Sequence, residues 1–191
     1  QMIAVDITSN VVLPIGNVSC ITADPTNGDH VMVSYSNYGI YSLFSSMDAG
    51  KTWTKAAGNL EQNANGSGNG PSIRWVSIVP VENGKVYLVA TSTGFFATDT
   101  LKGTSTVWVQ QASGEIGNMV CDMFDVRSLD GTIALATHGN GIYTARMVKR
   151  GSDSKIDGLR HKLCNLFNKL ASTFSDCALS RWNGNQCVNP L

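Results

Sequence analysis

The chain has 191 residues, 42% of them hydrophobic and 15% charged, with 14 basic and 14 acidic side chains and 19 glycines. That length and apolar content suit one domain-sized core with an appendage and argue against disorder, which goes with low hydrophobicity and high net charge. No apolar run reaches the ~20 residues of a membrane-spanning helix, and no basic excess stands ready to neutralise nucleic-acid phosphates.

Charge is unevenly placed. Residues 1–147 hold seven Lys/Arg and eleven Asp/Glu, a net of −4, whereas residues 148–191 hold seven Lys/Arg and three Asp, a net of +4. This divides the chain into a body, 1–147, and a tail, 148–191. The basic tail suits an acidic partner, an anionic surface or the acidic body itself. Neither an initiator methionine nor a charged, apolar leader opens the sequence, which points to a processed or partial product.

In chain order, Gln1–Ile7 reads as an isolated strand-like run, a candidate to supply a missing outer strand at the far end of the body. A repeated unit follows. Its first copy runs from Asn17 through the turn Thr26-Asn27-Gly28-Asp29 to Gly39-Ile40-Tyr41. A second runs from Ser72 through Asn83-Gly84 to Gly94-Phe95-Phe96, and a third from Asn118 through Asp130-Gly131 to Gly141-Ile142-Tyr143. The corner glycines Gly39, Gly94 and Gly141 are 55 and 47 residues apart, and Trp53 and Trp108 are again 55 apart. Each copy alternates apolar and polar residues between Asn-Gly or Asp-Gly turns, the hairpin signature. Units of this size with about four strands are propeller blades. The third copy stops after three strands, so the body is expected to be all-β with about three blades, part of a larger propeller or completed by another chain. Between the first two copies, the Asn- and Gly-rich stretch 63–71 reads as an exposed interblade loop.

In the tail, Arg150-Gly151-Ser152-Asp153-Ser154 reads as a linker and helix cap. Apolar residues at Leu159, Leu163, Leu166, Leu170 and Phe174 then fall on one helical face, predicting a helix over 159–174. Five cysteines cannot all pair within the chain. One disulfide is expected among Cys164, Cys177 and Cys187, with its connectivity open. Asn17 and Asn65 open Asn-x-Ser triplets and are glycosylation candidates.

One motif carries a family resemblance. Ser46-Met47-Asp48-Ala49-Gly50-Lys51-Thr52-Trp53 has the form Ser-x-Asp-x-Gly-x-x-Trp and resembles the Asp-box, or bacterial neuraminidase repeat. In the second copy the corresponding stretch keeps only Trp108, and the third has none. The ending Thr137-His138-Gly139-Asn140-Gly141-Ile142-Tyr143 also looks like the final blade of secreted bacterial proteins of this superfamily. The resemblance implies a secreted or cell-surface β-propeller, in company with sialidases, xyloglucanases and sortilin-type receptors. It gives Ser46, Asp48, Gly50 and Trp53 a structural role away from any catalytic face.

Two functional readings stand. The favoured one is non-catalytic: protein or glycan binding, or assembly into homo- or hetero-oligomers at the cell exterior. The alternative is a fragment or subunit of a glycoside hydrolase. A sialidase-like site needs several arginines on equivalent positions, and the body has only Arg74, Arg127 and Arg146, at non-equivalent ones. A xyloglucanase-like site needs two carboxylates. Asp122 and Asp125 are the candidates, whereas Asp24, before Pro25, is better explained as a turn cap. No His/Cys/Asp cluster has metal-ligand spacing and no phosphate-cradling loop is present, so no metal and no cofactor is expected.

Overall fold

The computed structural model describes residues 4, 6–8, 12–61, 63, 68–147, 181–182 and 187–188. Two compact units divide the chain, Gln1–Arg146 and Met147–Leu191. The first contains three antiparallel sheets that follow one another in sequence. β1 (Val18–Asp24), β2 (Asn27–Tyr35), β3 (Leu43–Ser46) and β4 (Thr54–Lys55) form sheet 1. β5 (Ile73–Val81), β6 (Gly84–Thr91), β7 (Gly94–Thr98) and β8 (Val109–Gln111) form sheet 2, and β9 (Cys121–Arg127), β10 (Thr132–Thr137) and β11 (Ile142–Arg146) form the three-stranded sheet 3. In the second unit, β12 (Arg181–Trp182) pairs with β13 (Cys187–Val188). Helical structure among the described residues is confined to 3-10 turns at Gly58–Leu60 and Gly103–Ser105. The described residues are thus all-β, with propeller-blade-like sheets that form no closed ring among them.

Local chemistry makes each sheet a meander. Asp24 Oδ1 accepts hydrogen bonds from the Thr26 amide (2.8 Å) and hydroxyl (2.7 Å), turning the chain from β1 into β2. Gly84 and Gly131 take φ of 140° and 69° at the corresponding turns of sheets 2 and 3. Asp130 holds the last turn by accepting from the Thr132 amide at 3.2 Å while pairing with Arg127 and Arg146.

Burial then stacks the sheets. Met32 and Leu43 of sheet 1 join Val76, Ile78, Tyr87 and Val89 of sheet 2 in one core cluster. Complete burial of a Leu or Met side chain stabilises by roughly 1.5–3 kcal/mol. Phe95 of sheet 2 meets Phe124 of sheet 3 edge-on, with ring centroids 5.0 Å apart. Val33, Tyr35 and Phe44 are buried too, so β2 is covered on both faces. Ile7 and Leu13 of the N-terminal segment pack against this cluster.

Two polar clamps fix sheet 2 to the chain that leaves sheet 1. The Trp108 indole N–H donates to the Ala56 carbonyl at 3.0 Å, and Asn59 exchanges two hydrogen bonds with the Trp108 backbone, 2.6 and 3.0 Å. The close approach requires Gly58, whose φ is 49° and where a Cβ would lie 1.9 Å from the Thr106 carbonyl oxygen.

Several expectations change. Described residues of the Gln1–Ile7 segment form no strand, and Ile7 packs over Gly50 of sheet 1 rather than extending sheet 3. Gly94 and Gly141 lead directly into β7 and β11, but Gly39 lies in a longer loop. Ser42 takes the equivalent corner in sheet 1, its carbonyl accepting from the Tyr35 amide at 2.9 Å as the Gly141 carbonyl does from Thr137 at 3.1 Å. The interblade loop is not simply exposed, since Gly68 is buried against the Ile40 backbone. The 159–174 helix, Asn65, Cys164 and Cys177 lie outside the described residues, as do the side chains of β12 and β13, including Cys187. Cys20 and Cys121 are free thiols.

Candidate functional site

The edge strands β1, β5 and β9 each carry an irregularity at the same register position. Pairing skips one residue between Val18 and Cys20, between Ile73 and Trp75, and between Cys121 and Met123. The bulged residues are therefore Ser19, Arg74 and Asp122, 55 and 48 apart in sequence. A bulge bends the strand and re-aims its side chain, here across to the next sheet. Ser19 Oγ donates to the Ile73 carbonyl at 2.7 Å, and Arg74 Nη1 reaches Asp122 Oδ1 at 2.9 Å. The other carboxylate oxygen of Asp122 faces His138 Nδ1 at 3.3 Å.

Immediately past the bulges the three strands line one groove of about 340 Å³, formed by residues 20–22, 75–77 and 123–126. Register places these residues in levels. Cys20, Trp75 and Met123 pair with Ser34, Ala90 and Ala136, and Thr22, Ser77 and Asp125 pair with Met32, Leu88 and Ala134. Phe124 turns toward Phe95 of sheet 2, so its strand neighbours Met123 and Asp125 lie on the opposite, exposed face of sheet 3. Asp125 is the groove's one charged residue. It is exposed, and its Oδ1 accepts from the Val126 amide at 2.9 Å. Neither thiol nearby is primed as a nucleophile. Burial raises the Cys20 thiol, and burial with the neighbouring Asp122 charge pushes Cys121 up to about 11.

The two sequence-predicted carboxylates thus take different roles. Asp122 is committed to Arg74 and His138, while Asp125 lies at the groove edge on an exposed strand face. Arg74, Arg127 and Arg146 do not converge, because Arg127 and Arg146 both bind Asp130. Among the described residues, no group of three or more His, Cys, Asp or Glu is placed to hold a metal ion.

The Ser-x-Asp-x-Gly-x-x-Trp motif, Ser46–Trp53, lies in the β3–β4 hairpin. Ser46 Oγ donates to Asp48 Oδ1 at 2.8 Å and accepts from the Gly50 amide at 2.8 Å. Asp48 accepts from the Thr52 amide (2.8 Å) and hydroxyl (2.7 Å), which with Ser46 brings its carboxyl down to about 2. Ala49 and Gly50 take φ of 58° and 87°, and Trp53 is buried in the sheet 1 core. These contacts serve the turn. Asn17 is exposed, with its carboxamide nitrogen donating to Ser36 Oγ at 2.7 Å.

Two buried polar clusters were not visible in the sequence. Glu61, 8% exposed, accepts from the Ser42 amide (3.2 Å) and hydroxyl (3.1 Å) and from the amides of Asn69 (2.7 Å) and Gly70 (2.8 Å). Between sheets 1 and 2, His30 faces Asp24 through Nδ1 (3.3 Å) and Ser45 through Nε2 (3.2 Å), with Lys85 also paired to Asp24. Burial opposes the Asp24 charge, but hydrogen bonds from Lys85 and Thr26 outweigh it and hold this carboxyl well below its ordinary value. Burial lowers His30, leaving it neutral. This Asp-His-Ser series has the connectivity of a nucleophilic relay, yet all three residues are at most 8% exposed. It is an interblade lock. Only aligning the repeats on their turns would have exposed the shared bulge position, and nothing local marks Glu61 or His30.

No protein-family model matches this chain, and no curated protein matches it in sequence.

Proposed function

We propose that this chain is a non-catalytic binding or assembly protein of the cell exterior, built on Asp-box propeller blades and taking its ligand in the groove between β1, β5 and β9. The observation that carries the reading is the groove itself: three edge strands in the same register converge on it, and Asp125 is the one charged residue along it. A volume of about 340 Å³ falls at the lower end of the ~300–1,000 Å³ typical of small-ligand sites. Glycoside hydrolysis by the usual route needs an acid and a base or nucleophile facing one bond. Asp122, the second carboxylate, instead pairs with Arg74 and faces His138 Nδ1 at the bulge. The Asp-box resemblance and the two Asn-x-Ser triplets support the extracellular assignment.

The test is parallel binding and turnover on sialosides, β-glucans and surface-protein peptides, with the native mass of the particle measured alongside. Saturable binding without product is expected. Turnover abolished by Asp122→Asn or Asp125→Asn would replace this reading with the hydrolase.

A further inference from the structure

We propose that the outer edge of sheet 3, away from the groove, takes an extended segment of another polypeptide, led by a tryptophan, as its fourth strand. Sheets 1 and 2 show what fits such an edge. β4 adds to β3 with Phe44 opposite Lys55 and Ser45 opposite Thr54. β8 adds to β7 with Phe96 opposite Gln110 and Ala97 opposite Val109. A tryptophan immediately precedes each added strand, Trp53 and Trp108, and the two are only 5% and 2% exposed. Sheet 3 has no strand beyond β11 among the described residues. Two residues on from the corners Ser42, Gly94 and Gly141, the aromatics Phe44, Phe96 and Tyr143 correspond.

The β11 edge offers both backbone groups and an uncovered side-chain strip. The Gly141 carbonyl accepts from the Thr137 amide. In an antiparallel ladder Tyr143 and Ala145 therefore also turn their backbone groups toward β10, while Ile142 and Thr144 turn theirs outward. In sheet 1 the position equivalent to Ile142 is Leu43, whose carbonyl accepts from the Ala56 amide at 2.9 Å, just past β4. Leu135 lies opposite both Phe124 and Tyr143, so Tyr143 shares the face that packs on Phe95 of sheet 2. Yet Tyr143 is half-buried and Ala145 exposed, whereas the corresponding Phe44 and Ser46 are 1% and 2% exposed. Trp53 and Trp108 stand two residues before the partners of Phe44 and Phe96, and so lie on that same face. A tryptophan at this place covers Tyr143 and Ala145.

The same geometry selects the occupant. β11 has five residues, ~17 Å at ~3.3 Å each. Contact along one such strand covers a small part of the ~1,200–2,000 Å² that a stable interface between folded chains buries, but it suits main-chain pairing with a single extended segment. A second copy pairing β11 with β11 brings no tryptophan beside the strand, since 141–147 contain none.

The experiment adds acetyl-Lys-Thr-Trp-Thr-Lys-Ala-Ala-amide, a copy of residues 51–57, to the full chain at millimolar concentration and follows amide hydrogen exchange by NMR. Exchange at Ile142 and Thr144 should slow about tenfold or more at saturation, with Tyr143 and Ala145 little changed. Replacing the peptide's tryptophan with alanine should weaken binding about tenfold or more. N-methylation of the second threonine, whose amide meets Thr144, should abolish binding, while N-methylation of the second lysine, whose amide points away, should leave it. Thr144→Pro, which removes an outward N–H that an edge strand does not need, should also abolish it; the N-methylated peptides carry this test without altering the protein. Unchanged exchange at Ile142 and Thr144, or equal binding of the two N-methylated peptides, would overturn the added strand. Equal binding of the alanine peptide, or of a peptide copying residues 1–7, would overturn the tryptophan-led segment. Protection of Ile142 and Thr144 that rises with protein concentration alone would give the edge to a second copy and overturn the proposal.

Discussion

Glu61→Ala measures how far one buried carboxylate holds the first two sheets in place. Its oxygens serve four donors: the Ser42 amide and hydroxyl, and the amides of Asn69 and Gly70. The donors are not equivalent. Ser42 is 1% exposed, so its two groups lose their partner where water cannot replace it, whereas Asn69 is exposed and rehydrates. At ~1–3 kcal/mol per stranded buried donor, the two Ser42 groups together set a loss of about 2–6 kcal/mol. Glu61→Gln keeps an oxygen for Ser42 but turns an NH2 toward the Asn69 and Gly70 amides, for a loss of about 1–2 kcal/mol. Urea unfolding followed by tryptophan fluorescence should show an ordered fall in midpoint, parent above Gln above Ala, at constant slope. Hydrogen exchange at the Ser42 amide should accelerate in the same order. An alanine variant within about 0.5 kcal/mol of the parent, with Ser42 protection unchanged, would refute the argument that this carboxylate anchors the loop.

The interblade lock should make stability fall with mild acid. Burial, with the Lys85 charge adding to it and Asp24 opposing, holds His30 below its ordinary 6.5; below that pH the unfolded chain takes up a proton that the folded chain refuses, so stability declines as pH drops. His30→Gln should flatten that slope between roughly pH 7 and 5, and a slope equal to the parent's would remove His30 as its source. In the β3–β4 turn, the contribution of Asp48 is fully present above its unfolded value of 3.8 and is lost as pH falls through about 2. Asp48→Asn should abolish that acid step and speed exchange of the Thr52 amide while the Trp108 amide stays protected; slowed or unchanged Thr52 exchange would contradict the turn-holding role.

Sequence alone determined the sheets, because their signals are local. Alternation fixes strands, and Asn83-Gly84 and Asp130-Gly131 mark where two of them reverse, through contacts spanning a few residues, whereas in sheet 1 the reversal falls at Pro25-Thr26 and the expected turn residues Asn27, Gly28 and Asp29 belong to β2. The turn chemistry of the Ser46–Trp53 motif was equally legible: Ser46, Asp48, Gly50 and Thr52 satisfy one another within a single hairpin. The corner of sheet 1 was misplaced at Gly39 because a glycine announces a permitted φ, not the pairing partner, and the longer loop moved the corner to Ser42.

What only the tertiary structure decided is everything that joins one sheet to the next. Ser19, Arg74 and Asp122 become bulges through strand register, and each acts on a group about fifty residues away or across a sheet boundary. Glu61 owes its role to Ser42 and Gly70, and His30 to Lys85 through Asp24, partners that no window of alternating residues contains. Burial and hydrogen-bond satisfaction are properties of the packed whole, so a local pattern specifies a strand but not which side chain it will present to the groove.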